Sequence, residues 1–293
     1  MKNIIAMMAA VACTLTLTAC GGGGGDDSGN GTLSRADEGI WSNLNGGGQN
    51  DATQAVILSD GSYWGIYGLV GGPCNPAGIL QGTASVNGSS VSGTYTDFSS
   101  VDLVTSAAIS NGTYSGTVSA QHTLDLIFNE PSNTISTGLA TWNGNMSYDS
   151  SYNQPASLPA VAGNYVGGGC ETNPGGPALL PGQSPVPTLP IITISGSNLT
   201  LFSADGNTVM MNGTITPHGT VNVFDVSLTT TTGNYTSPYG YVTPYGQYGA
   251  TNAPVPTGTT YKGILFQTSG SQTIEIVATA GNFGYFYEGI KQN

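Results

Sequence analysis

The chain has 293 residues and a formal charge of −12, with only 7% of its residues charged and 45 glycines. So few Lys and Arg exclude nucleic-acid binding, which needs cations against phosphates, and they exclude a polybasic membrane patch. Scarce Glu, Lys and Arg disfavour long surface helices, whereas abundant Gly, Ser, Thr, Asn and Tyr favour turn-rich β-structure.

Met1-Lys2-Asn3 is a short positive start, and Ile4 to Leu17 is an uncharged apolar run of signal-peptide length, too short to span a bilayer comfortably. Leu17-Thr18-Ala19-Cys20 closes it. This tetrapeptide resembles the lipobox of bacterial lipoproteins, which implies removal of residues 1–19 and diacylglyceryl and palmitoyl lipid on Cys20. Five glycines then lead into Asp26-Asp27-Ser28-Gly29-Asn30-Gly31. Residues 20–36 cannot bury enough apolar area to offset their backbone entropy, so they are expected to form a flexible tether. By the same resemblance, Gly21 in place of Asp after the lipidated Cys implies the outer membrane of a Gram-negative envelope. More than one acyl chain gives stable anchoring.

Roughly 260 residues remain, enough for two ordinary domains. Val56-Ile57-Leu58-Ser59-Asp60-Gly61-Ser62-Tyr63-Trp64 reads as strand, Asp-Gly turn, strand, and Leu199 to Gly206 repeats its first half. Thr113-Tyr114-Ser115-Gly116 then pairs with Thr260-Tyr261-Lys262-Gly263. Thr123 to Phe128 pairs with Thr273 to Ala278, both with apolar residues at period two. In these last two runs Asp125 and Glu275 are expected to face outward at matching positions. The copies also open alike, at Gly39-Ile40-Trp41-Ser42 and Gly163-Asn164-Tyr165-Val166.

This pattern predicts an all-β chain of two tandem small antiparallel domains, each a barrel or sandwich of six to eight strands, over 37–155 and 156–293. The second carries a Pro-rich addition at 173–190 and a Tyr-rich one at 233–259. Ile57, Leu124, Leu126, Phe128, Leu199, Leu201, Ile274, Ile276 and Phe286 are the expected core. Trp41, Trp64 and Trp142 are expected as core or barrel-end plugs, in preference to ligand platforms.

Cys13 leaves with the signal and Cys20 takes lipid, so Cys74 and Cys170 remain, each in a Gly/Pro loop. An even pair in an oxidising compartment predicts a Cys74–Cys170 disulfide, worth about 4–5 kcal/mol at most for a loop of roughly a hundred residues. The further Cys or His ligands of a metal site are absent from the pattern, and no metal or cofactor is expected.

Only His122 and His218 could serve as a nucleophile's base, and both read as strand-start or turn residues. Nucleophile-elbow, zinc-protease, phosphate-loop and calcium-loop motifs do not occur. The expectation is therefore a non-catalytic protein. Asn234 to Tyr248 sets Tyr235, Tyr239, Tyr241, Tyr245 and Tyr248 among Pro and Gly. Tyrosines in such loops supply stacking faces and hydroxyls at modest entropic cost, which suits a glycan or protein ligand; the alternative is that they fold back onto the barrel.

With its lipobox, five-glycine tether and Asp60-Gly61-Ser62-Tyr63-Trp64, the chain resembles uncharacterised lipoproteins of Gram-negative bacteria. It is also similar to surface lipoproteins of the transferrin-binding class, whose lobes contain β-barrels behind a glycine-rich leash. The basic residues and handle strands of that class are missing here, so iron-protein binding does not carry over. The resulting expectation is an outer-membrane lipoprotein that binds an extracellular or envelope ligand. A periplasm-facing accessory of an envelope assembly is the alternative, and a carboxylate-dependent hydrolase comes third.

Overall fold

A computed structural model describes residues 34–43, 53–67, 78–99, 109–129, 141–168, 190–203, 206–231, 235–237, 240–242, 247–248, 256–281 and 283–292. Cys20, residues 20–33 of the expected tether, Cys74, Cys170, Tyr239 and Tyr245 lie outside them. Residues 34–36, also expected in the tether, instead belong to the folded body, because Arg35 bonds Asp37 and the Ala84 carbonyl and Ala36 packs on the first barrel's core. Eight strands come first: β1 (Gly39–Asn43), β2 (Thr53–Ile57), β3 (Ser62–Tyr67), β4 (Gly78–Asn87), β5 (Ser90–Ser99), β6 (Ile109–Ser119), β7 (Thr123–Asn129) and β8 (Thr141–Asp149). Each pairs antiparallel with the next, and β1 pairs with β8 at Ile40–Asp149 and Trp41–Tyr148, so the sheet closes into a barrel.

A 3-10 turn (Ser150–Asn153) and a four-residue helix, α1 (Leu158–Val161), connect this barrel to the next strands. These are β9 (Gly163–Gly168), β10 (Ile191–Ser195), β11 (Asn198–Phe202), β12 (Val209–Pro217), β13 (Val223–Thr230), β14 (Tyr235–Ser237), β15 (Gly240–Val242), β16 (Gln247–Tyr248), β17 (Thr260–Phe266), β18 (Thr273–Ala280) and β19 (Phe283–Lys291). Here β9 to β13 and β17 to β19 run in sequence order, and β19 returns to β9 at Glu288–Gly168 through Lys291–Tyr165. The result is a second eight-stranded barrel. The sandwich alternative is set aside, and the chain is all-β with two barrels.

Eight strands leave an interior just wide enough for side chains, and both interiors are filled. Trp41, Tyr63, Leu80, Tyr95, Tyr114, Leu124, Leu126 and Phe128 pack the first, with the Tyr63 and Tyr114 rings 4.9 Å apart. Tyr165, Ile192, Leu199, Leu201, Phe224, Tyr261, Ile274, Ile276 and Tyr287 pack the second. The lumen of the first barrel is sealed at one end by the segment leading into β1. There Arg35 makes two hydrogen bonds to the buried Asp37 and donates a third to the Ala84 carbonyl, while Trp41 Nε1 donates to the Asp37 carbonyl.

A third apolar cluster is a seam between the barrels. Ile40, Val56, Leu58, Ile66, Ile79 and Phe98 from the first meet Val223, Ile264, Phe266, Val277 and Phe286 from the second, with Tyr152 of the connector among them. These side chains point out of their own barrels, so a strand such as β18 is buried on both faces: Ile274 and Ile276 face its lumen, Val277 the seam. Phe286, expected in a core, is in this seam.

Two sequence expectations need correction. Asp60-Gly61 joins β2 to β3, whereas Gly206 stands between β11 and β12, the counterparts of β3 and β4. The turn that corresponds to Asp60-Gly61 is the one joining β10 to β11 around Gly196. Asp-Gly suits any tight hairpin, so its recurrence carried no register; the Thr-Tyr-x-Gly and Thr-x-acid-x matches do fall on equivalent strands, β6 with β17 and β7 with β18. The second correction is Glu275. It faces out of its barrel, as Asp125 does, but outward there means into the seam: Asp125 is exposed and Glu275 is 5% exposed.

Candidate functional site

The connections at the two ends of each barrel differ in length. At one end of the first barrel, β2–β3, β4–β5 and β6–β7 are joined by two to four residues, and the chain enters there through Arg35. The strands flanking Cys74 (β3 and β4), those flanking Cys170 (β9 and β10) and those flanking the Tyr-rich addition (β13 and β17) all end at the opposite end. Of the five tyrosines expected to bind ligand, Tyr235 and Tyr241 lie on the β14–β15 ribbon and Tyr248 on β16, which pairs with β19 at Gly284. The backbone thus brings three of them into short strands; the other two lie outside the described residues.

At the short-turn end a cleft of about 440 Å³ opens between the barrels. One wall is the β2–β3 hairpin. Asp60 Oδ1 accepts the Ser62 backbone N–H at 2.8 Å and Gly61 takes φ +85°, which is the local reason for Asp-Gly at this turn. Period-two alternation then sends Ser62 and Trp64 outward while Tyr63 enters the lumen. The other wall is the outer face of β12, β13 and β17, where cross-strand pairing aligns Thr214, Ser227 and Lys262 in one row and Thr216, Asp225 and Ile264 in the next. His218, just past β12, places Nδ1 2.9 Å from Asp225 Oδ1. Leu58 and Ile264, both buried, form the floor.

The cleft gathers four ionisable side chains in a chain of which only 7% is charged: Asp60, Asp225, His218 and Lys262. Burial works to raise the Asp60 carboxyl, but the hydrogen bonds from Ser62, helped by the charges of His218 and Arg35, outweigh it and hold that group below the usual carboxylate value. Asp60 is therefore ionised at neutral pH. Asp225 Oδ1, beside Nδ1, fixes the imidazole of His218 in orientation. No three His, Cys, Asp or Glu side chains among the described residues are gathered for a metal ion, and no helix among them is long and apolar enough to cross a membrane.

A second depression, of about 590 Å³, lies on the outer face of β4 to β7 and carries Gln81, Thr83, Thr94, Thr96, Asn111 and Thr113. Four of its side chains already bond in pairs, Thr83 with Thr94 at 3.2 Å and Thr96 with Asn111 at 2.9 Å, and its lining holds no charge. Size favours this face, whereas chemistry favours the cleft.

The sequence did not signal the cleft as a unit. His218 read as a turn residue, Asp60 as a turn former and Trp64 as a plug. Trp41 is a lumen side chain as expected, but Trp64 is only half-buried and lies against the seam. The one signal was that two of the few basic side chains fall close to each other in the sheet, His218 just past β12 and Lys262 on β17, both strands paired with β13. The chain matches no protein-family model, and comparisons with curated proteins and with solved structures find no match.

Proposed function

We propose that this chain is a lipid-anchored outer-membrane lipoprotein whose body is a rigid binding module, with the inter-barrel cleft as its ligand site. The observation that carries the reading is the placement of Asp60, Trp64, His218, Asp225 and Lys262 around one opening, on two barrels locked by an apolar seam. Among the described residues side chains fill both lumens, which favours recognition on the outer surface. Strand-borne side chains, pre-paired as Asp60 is with Ser62 and His218 with Asp225, lose little freedom on binding. Lipid on Cys20 and the tether would present this module at the membrane.

Two outcomes test the reading in producing cells. Cys20→Ser should move the chain from the membrane pellet to the soluble fraction, and retention in the pellet would defeat the anchor. A photocrosslinking residue at Thr216, on the cleft rim, should give a discrete adduct that the same reporter at Thr117, on the exposed outer face of β6, does not. Adducts of equal yield at both positions would move the binding surface away from the cleft. An adduct with an envelope protein would select the periplasmic accessory version of this function.

A further inference from the structure

We infer that the cleft takes a neutral saccharide, a proposal that rests on the cleft being the ligand site. A sugar ring presents hydroxyls that both donate and accept, together with a face of C–H groups. The cleft offers the complement of each. The Asp60 and Asp225 carboxylates accept; Lys262 donates, and His218 offers Nε2. Trp64 supplies an aromatic face beside the apolar floor of Leu58 and Ile264. One oxygen of Asp60 is held by the Ser62 N–H, and Asp225 holds Nδ1 of His218, so these groups are oriented before a ligand arrives.

Charge narrows the class. A formal charge of −12 on the chain repels uronic, sulfated or phosphorylated glycans, which Lys262 alone would not offset. A polycation would be drawn by that charge and by Asp60 and Asp225, against Lys262 in the same cleft. It would leave the Trp64 face and the apolar floor unused, however, and it is the competing ligand that the test includes. A ligand with hydroxyls, a C–H face and no net charge uses every group of the cleft and is not repelled by the chain's charge. The opening also runs across both barrels instead of ending in a closed pit, which suits a chain of sugar units over a single small molecule.

The test uses the full-length chain in a polyoxyethylene detergent, which has no sugar headgroup. It is titrated with short neutral oligosaccharides of glucose, mannose and N-acetylglucosamine, and separately with spermidine, following heat and tryptophan fluorescence. At least one oligosaccharide should bind saturably, equally at low and high salt. Trp64→Ala should weaken it roughly tenfold, as loss of one stacking face does, and Lys262→Gln, an exposed change that leaves the seam intact, should weaken it in the same direction. Spermidine binding that falls with salt and tightens in Lys262→Gln would overturn the saccharide and keep the cleft. Saccharide binding untouched by both variants would overturn the cleft as well. If no oligosaccharide binds, the saccharide is wrong, and the Thr216 adduct then decides whether the site itself survives.

Discussion

Replacing Glu275 by glutamine should stabilise the folded chain by about 4 kcal/mol near pH 8 and remove most of its loss of stability between mildly acidic and mildly alkaline pH. Glu275 lies in the seam, where Gln54 Nε2 of the first barrel donates to its Oε1 at 3.1 Å. Burial, with the charges of Glu288 and Asp149 adding to it, pushes the Glu275 carboxyl up to about 8 from an ordinary 4.5. Glu288 is its direct cross-strand partner on β19 and is itself raised by burial. For Asp149, burial acts to raise the carboxyl, but hydrogen bonds from Ser269 and Ser151 hold it low, so it keeps its negative charge near the seam. On the other side, Glu275 pairs with Phe266 of β17, which brings no charge.

The sign follows from which state holds the proton. Below about pH 4.5 both folded and unfolded chains are protonated at this position, and it contributes nothing. Between about 4.5 and 8 the unfolded chain has released the proton while the folded one keeps it, so stability falls with rising pH by about 1.4 kcal/mol per unit. Above about 8 the full cost is present and constant. A protonated Glu275 also explains an otherwise orphaned atom: Gln54 Oε1 is buried with no hydrogen-bond partner among the described residues, and an O–H on the facing carboxyl can donate to it. Glutamine at 275 supplies an N–H for that atom at every pH. Urea unfolding midpoints across this range measure both slopes; parallel slopes for the two proteins would show that Glu275 is ionised in the fold.

Glu275 also marks the boundary of what the sequence makes legible. Period-two alternation sorts the side chains of one strand into two faces, and it points Leu124, Leu126, Ile274 and Ile276 to a core, which the structure shows to be the two lumens. Alternation cannot tell whether the opposite face meets water or another barrel. The same alternation therefore placed Asp125 and Glu275 alike, and only the packing of the second barrel on the first separates them. Trp64 has the same ambiguity, since an aromatic residue on an outward face reads as a plug until its neighbour is known. The cleft needed a further step, because Asp60 and His218 are far apart in the chain and meet through a contact between barrels that no local pattern encodes. The Tyr-rich addition stood out for the opposite reason: its composition is local, and composition is what a sequence displays directly.

Gly116→Ala and Gly263→Ala should each destabilise the chain by about 3–5 kcal/mol, far more than an alanine in an exposed strand. These glycines are the last residues of the two Thr-Tyr-x-Gly matches, and the structure gives the motif a physical reason. Tyr114 and Tyr261 enter the two lumens, and two positions later, on the same face, β6 and β17 run so close to the next strand that no side chain fits between them. A Cβ on Gly116 would stand 1.8 Å from the Asp125 carbonyl oxygen, and one on Gly263 would stand 2.0 Å from that of Val277. Both obstacles are backbone atoms of the neighbouring strand, held by ladder hydrogen bonds, so no side-chain rotation relieves them and the strand itself must move. Gly88, at the β4–β5 turn, is the control. Its φ of +61° disfavours alanine, but nothing lies within 4 Å of the added carbon, so Gly88→Ala should cost only about 1 kcal/mol. Thermal unfolding of the three variants ranks them. Equal losses at 88, 116 and 263 would mean that close strand approach does not set these positions, and the shared motif would then need another cause.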